Sequence, residues 1–288
     1  LPLSGDAVII GGFTGAETAV SQRALTNSLG IVTNYTLIDG ENARQCLQIT
    51  AGNVAMECLV FTNARSGYFG GGLAKTGSGR LTMENCRLVN NRGSKHGIGA
   101  YFNGGSVLMT NCIVANNSPV DYYAYGYGVY SENTTLDIVD CLFSNNSVNS
   151  YRASAGLGLY VTGGKVDARR TDFVDNSGPA NNGTLGGAGV SVRGNAQASF
   201  SNCVFRGNVA KYCGSGSPGV GGAMWVDQTA AGTTRVVNCT FTANSNLYGN
   251  GGAIALTGAG KLIVKNSILW SNGVDAAYTG HEIYRISG

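Results

Sequence analysis

An asparagine recurs in fixed phase along this chain. If Cys58, Cys86, Cys112, Cys141, Thr171, Cys203, Cys239 and Ser267 are taken as equivalent anchors, the fifth residue after each is Asn63, Asn91, Asn117, Asn146, Asn176, Asn208, Asn244 and Asn272. The second residue after each anchor is apolar: Val60, Leu88, Val114, Phe143, Phe173, Phe205, Phe241 and Leu269. Upstream, a Gly-x-(Gly/Ala)-apolar signature begins at Gly70, Gly97, Gly126, Gly156, Gly187, Gly221 and Gly251. Length varies mainly between each asparagine and the next glycine. The chain therefore repeats a unit of roughly 30 residues, with one fixed part and one elastic loop.

Within the fixed part the apolar period is two, as in Leu81 and Met83, Val107 and Met109, or Leu136 and Ile138, which predicts short strands. The parity slips once, at the residue before the anchor (Asn85, Asn111, Asp140, Asn202, Asn238, Asn266), and this marks a bend between two strands. Three short strands per unit and one residue type at one place in each predict an all-β solenoid, a right-handed parallel β-helix of about eight to nine coils. In such a stack, coils about 4.8 Å apart place equivalent side chains above one another. Asparagine can then satisfy backbone and neighbouring amides, and glycine can turn the corners. A β-sandwich with irregular hairpins would not hold this phase. Although Gly reaches 45 residues, the 43% of apolar residues suffices for a core, so the expectation is one domain over 1–288. Residues 1–45 would form an N-terminal coil or cap, 46–280 the regular coils, and 281–288 the start of a truncated or capping coil.

In-register cysteines would point their Cβ atoms in parallel, which does not suit a disulfide. Thr171 and Ser267 at the same position fit a stack of buried small side chains better than a disulfide framework. Cys46 and Cys213 lie off the ladder. With no Cys-x-x-Cys and only His96 and His281, no metal site and no cofactor are expected, calcium beside stacked carboxylates being the one candidate.

A net charge of +3 does not argue for nucleic acid, and no apolar run is long enough for a membrane span. No signal segment is legible at Leu1, and both ends read as cut from something longer.

Phe-x-x-Asn (Phe143 to Asn146, Phe173 to Asn176, Phe205 to Asn208, Phe241 to Asn244) alternates with Gly221-Gly222-Ala223-Met224 and Gly251-Gly252-Ala253-Ile254. This pairing resembles the repeat of the polymorphic outer-membrane proteins of chlamydial type and of related surface proteins with pectin-lyase-like β-helices. The stretches GGFTGAETAVSQRALTN, YTLIDGEN and SILWSNG are similar to their opening and late coils. What the resemblance implies is a scaffold with export, surface display or attachment, and no active site. The strict glycine motif is relaxed in the first coils, as in Gly97-Ile98-Gly99-Ala100.

Candidate binding residues follow from the period. The outward position after the glycine corner carries Ala74, Tyr101, Tyr130, Tyr160, Ser191, Trp225 and Ala255. Loops beside it add Tyr68, Phe69, Tyr122, Tyr123, Tyr125, Tyr151 and Tyr212, with His96 among them. Such rings can stack on sugar faces, or can simply cover the sheet. On the second strand, Asp137 and Asp167 fall together beside Lys165 and Arg169. These are candidates for elimination or hydrolysis, or an ordinary surface charge cluster. No Asp-Asp pair, Gly-His-Gly or Arg-Ile-Lys of sugar-cleaving relatives is present.

The expectation is a non-catalytic secreted or cell-surface protein with a structural or adhesive role. It would bind a glycan or a host or neighbouring surface protein through Tyr101, Tyr130, Tyr160 and Trp225. Two alternatives stand beside it: a polysaccharide lyase or glycoside hydrolase acting on an acidic polysaccharide, and a subunit of an extracellular filament joined through the solenoid ends.

Overall fold

A computed structural model describes residues 2–23, 25–28, 31–120, 124–147, 155–179, 186–211, 219–247, 249–274, 277 and 280–285. Successive strands are laid into three long sheets, every pairing parallel to the strand one coil away. The first sheet has 10 strands, among them Leu73–Thr76, Ala100–Asn103, Val129–Glu132, Leu159–Thr162, Val190–Gly194 and Met224–Gln228. The second has 9, including Arg80–Glu84, Ser106–Thr110, Thr135–Val139 and Lys165–Arg169, and the third also has 9, including Arg87–Val89, Ile113–Ala115 and Leu142–Ser144. One strand of each sheet makes one coil, and the whole is a right-handed parallel β-helix.

The coil count is about 7 full turns, below the eight to nine expected from the eight anchors. The regular coils are those opened by a corner glycine in left-handed conformation, from Gly70 (φ 71°) through Gly97 (φ 66°) to Gly251 (φ 79°). A Cβ on Gly97 would lie 2.4 Å from the Ala100 carbonyl oxygen, so the corner demands both the positive φ and the missing side chain. Before the first of these coils the chain forms Pro2–Leu3, Ala7–Ile10 and a 3-10 turn at Val20–Gln22, then enters the third sheet at Thr36–Asp39.

The inside is one continuous column. Phe143, Phe173, Phe205 and Phe241 stack through it with centroids 5.0, 4.9 and 4.3 Å apart. Beside them runs the asparagine ladder: Asn91, Asn117, Asn146, Asn176, Asn208 and Asn244 are all essentially buried. From Asn117 onward each carboxamide accepts from the backbone N–H and the side-chain amide of the asparagine one coil earlier, and donates to a carbonyl of that coil, as Asn146 does to Asn117 and Val114.

The anchor position is explained by its hydrogen bonds. The Sγ atoms of Cys112 and Cys141 donate to the carbonyls of Thr110 and Val139, two residues back, at 3.3 and 3.2 Å, and Thr171 Oγ1 does the same to Arg169 at 3.0 Å. The same atoms of Cys141 and Thr171 accept from the backbone N–H one coil earlier, at 3.3 Å each. Cysteine, threonine and serine are thus interchangeable because each is small and can both donate and accept. The seven described cysteines are buried thiols, and Cys213 lies outside the described residues. From Cys86 onward the residue before each anchor bends with positive φ, for example Asn85 (53°), Asp140 (55°) and Asn202 (54°).

In the first coil the register differs from the sequence reading. Glu57 pairs with Glu84 and Val60 with Arg87, so Cys58 aligns with Asn85 and Leu59 with Cys86. Cys58 is the bend residue (φ 55°), Phe61 and not Val60 fills the interior beside Leu88, and Asn63 aligns with the outer Asn90. Ala64 takes the ladder place, its N–H donating to Asn91 Oδ1 at 3.1 Å.

Candidate functional site

The first sheet presents the richest outward surface. Its strands place Ala74, Tyr101, Tyr130, Tyr160, Ser191, Trp225 and Ala255 in strict register, as the period-two reading expects. Tyr130 and Tyr160 stack at 4.9 Å, and Tyr101 and Tyr130 at 5.6 Å. These rings are largely covered: Tyr101, Tyr160 and Trp225 retain only 7%, 6% and 8% exposure.

A second row of rings does much of the covering. The residue just before each of three corner glycines leans onto the ladder ring of the next coil: Phe69 on Tyr101 at 4.7 Å, His96 on Tyr130 at 5.1 Å, Tyr125 on Tyr160 at 5.1 Å. The two rows lock the elastic loops to the sheet, with each ring held on several sides by others. His96 Nδ1 accepts the backbone N–H of Tyr125 at 2.9 Å, which fixes it as the neutral acceptor. Burial holds its pKa below the ordinary value, helped by Lys95 and opposed by Glu132. Burial pushes the Tyr101 phenol up to about 12, so the ladder hydroxyls stay protonated.

Two residues beyond the ladder on each strand runs a polar row that sequence reasoning missed: Thr76, Asn103, Glu132, Thr162, Arg193 and Asp227. The signal was the same period of two, carried one step further. Glu132 accepts from Tyr101 Oη at 2.7 Å and from Asn103 at 3.3 Å. Arg193 lies over the Trp225 ring at 4.6 Å and pairs with Asp227, Nε to Oδ2 at 3.1 Å. Thr257 joins the group, donating to Asp227 at 3.0 Å and accepting from Trp225 Nε1 at 2.8 Å.

Two grooves open on this face. One, of about 520 Å³, is lined by Tyr160, Thr162, Arg193, Asp227, Gln228 and Thr229. The other, of about 350 Å³, lies at Gln45, Gln48, Tyr68, Phe69, Thr76 and Tyr101.

Of the remaining candidates, Tyr122, Tyr123, Tyr151 and Tyr212 lie outside the described residues. Asp137 and Asp167 are in register on the second sheet. Asp167 is ion-paired with Arg169 at 3.1 Å, both partly exposed, and Lys165 stands at the start of the same strand. Among the described residues no cluster of three or more His, Cys, Asp or Glu is arranged to hold a metal ion, and no helix is long and apolar enough to cross a membrane.

No curated protein and no solved structure matches this chain. A family model described as right handed beta helix region matches residues 13–173 and again 122–286, which take in the face just described. By its repeat, its coil geometry and that match, the chain belongs to the right-handed β-helix family.

Proposed function

We propose that the protein is a non-catalytic β-helix, secreted or displayed on a cell surface, that holds saccharide chains along its first sheet. The groove at Tyr160, Thr162, Arg193 and Asp227 carries this reading, because it puts a ring edge, a hydroxyl, a guanidinium and a carboxylate side by side on one flat wall. Saccharides are recognised by that mixture of planar hydrogen bonding and aromatic contact. The likeness of the Phe-x-x-Asn and Gly-Gly-Ala repeat to chlamydial-type surface proteins supports display, and supports an adhesive role beside the structural one.

The carboxylates argue for holding over cutting. Glycoside hydrolysis uses two carboxyl groups about 5 to 9.5 Å apart across the scissile bond. Glu132 and Asp227 are separated by three strand spacings, about 14 Å, and each is committed to neighbours within the row. On the second sheet, Asp137 and Asp167 are neighbours in register, and Asp167 is ion-paired with Arg169 at 3.1 Å.

The test is a screen of the purified protein against neutral and acidic polysaccharides that records retention together with release of unsaturated or reducing ends. Retention without products, weakened about tenfold or more by Arg193→Ala, is the expected result. Product release would replace this reading with a lyase or hydrolase, and a protein that retains nothing would end the saccharide reading altogether.

A further inference from the structure

The ladder of rings ends at Tyr101, where Phe69 stacks on it. Proceeding from Tyr160 through Tyr130 to Tyr101, each coil adds one ring at 4.9 and then 5.6 Å. The next coil offers Ala74, in register with Tyr101, and the one beyond it offers the exposed Gln48, in register with Ala74. Strands about 4.8 Å apart put roughly 10 Å between the Tyr101 and Gln48 positions; Phe69, 4.7 Å from Tyr101, takes the Tyr101 side of that span and Ala74 is 4% exposed, so the open space lies along Phe69, Tyr68 and Gln48. The space there is a groove of about 350 Å³, within the usual range for ligand sites.

Its walls are aromatic and its rim is polar without charge. Phe69 is 41% exposed and Tyr68 is 80% exposed, unlike the covered rings deeper in the stack. The Gln45 amide donates to the Phe69 carbonyl at 2.9 Å and to the Gly70 carbonyl, so the loop bearing Phe69 is tied to the coil below it. Gln48 and Thr76 complete the rim, and no charged side chain lines the groove.

We propose that this groove is a binding slot for one uncharged pyranose ring, seated against the exposed Phe69 and Tyr68 rings. This rests on the saccharide reading above and assigns it a second subsite, distinct in chemistry from the Arg193 and Asp227 groove. The aromatic walls supply the contact for the apolar sugar face. Carboxamide and hydroxyl groups at the rim suit sugar hydroxyls, whereas an acidic sugar would find no cation there.

The experiment titrates the intact protein with cellotetraose and, separately, with a galacturonate tetramer, following heat of binding. Ala74→Tyr fills the slot with the residue that already occupies the same register at Tyr101, so the variant extends the ladder without a new backbone demand. Gln48→Ala alters only an exposed rim side chain and serves where the first variant folds poorly. The expected result is cellotetraose binding that falls about tenfold or more in Ala74→Tyr and several-fold in Gln48→Ala, with galacturonate binding unchanged in both. If cellotetraose binds but neither variant changes its affinity while Arg193→Ala does, the slot is wrong and the wider saccharide reading survives. If neither probe binds the wild-type protein, both fall together.

Discussion

Asn117 Oδ1 accepts two hydrogen bonds from Asn91, one from its backbone N–H and one from its side-chain amide, each at 3.1 Å. Asn117 Nδ2 meanwhile donates to the Leu88 carbonyl at 2.9 Å. One carboxamide thus satisfies three buried groups of the coil before it, and the ladder is a chain of such dependences.

Removing a mid-ladder carboxamide should therefore be costly. Asn146→Ala removes the acceptor of the Asn117 N–H and the side-chain donor to the Val114 carbonyl, and leaves the Asn117 amide with the Leu88 carbonyl alone. Buried unsatisfied groups cost about 1 to 3 kcal/mol each before relaxation, so a loss of about 3 kcal/mol is expected in urea unfolding followed by circular dichroism. A loss below about 1 kcal/mol would show that water replaces the side chain and that the ladder is not what holds the coils.

The thiol position predicts the opposite tolerance. Cys141→Ser should change stability by no more than about 1 kcal/mol, because Thr171 already performs the same donation and acceptance one coil on. Burial also raises the thiol pKa of Cys46 and of Cys58, each to about 11. The described cysteines should resist iodoacetamide at pH 8 in the native protein and react after denaturation. Rapid native labelling at any of them, mapped by mass spectrometry, would contradict the closed column.

Strand phase, corner glycines, the buried asparagines and the outward ladder were legible because each obeys a short-range rule repeated in several coils. What failed was the first coil, where Cys58 was aligned by residue type. There the bend accepts cysteine, the interior takes Leu59 and Phe61, and the left-handed outer position holds Asn63 (φ 50°), so two residue types mimicked the pattern one step out of phase. Coverage of the tyrosines was not legible either. It depends on loops folding back so that Phe69, His96 and Tyr125 reach rings one coil away, a contact between distant residues that no local period encodes. The Arg193, Asp227 and Thr257 cluster has the same character, assembled from three coils around Trp225.

His96 should make the loop face sensitive to acid. Its pKa is held below the ordinary value chiefly by burial, so below about pH 6.5 the unfolded chain binds a proton that the folded one resists. Stability from this group is present above that pH and declines as pH falls toward the folded pKa. Protonation would also deprive the Tyr125 N–H of its acceptor. The expected outcome is faster limited proteolysis near residue 125 at pH 5.5 than at pH 7.5. His96→Phe, which copies Phe69 one coil earlier, should flatten that dependence, the only other histidine being His281. Equal cleavage rates at both pH values would rule out His96 as the sensitive group.

Lys75 predicts a slope at the other end of the scale. It points into the column between Ile49 and Phe102 with 1% exposure, and its Nζ donates to the carbonyls of Gly77 at 2.7 Å and Gly104 at 2.5 Å. Two acceptors match the two N–H bonds of a neutral amine better than the three of an ammonium, and desolvation lowers its pKa. Between that lowered value and about 10.4 the unfolded chain therefore holds a proton that the folded chain does not. Unfolding then takes up protons, and stability must rise with pH across the window. Urea midpoints measured from pH 7 to pH 10 should contain this climb in the wild type, set against the opposite slope from the raised Cys46, Cys58 and Tyr101. In Lys75→Met, whose side chain fits the apolar neighbours and cannot titrate, the climb should be smaller. The same slope in both proteins would mean that the buried amine keeps its charge, and that the Gly77 and Gly104 carbonyls suffice to solvate it.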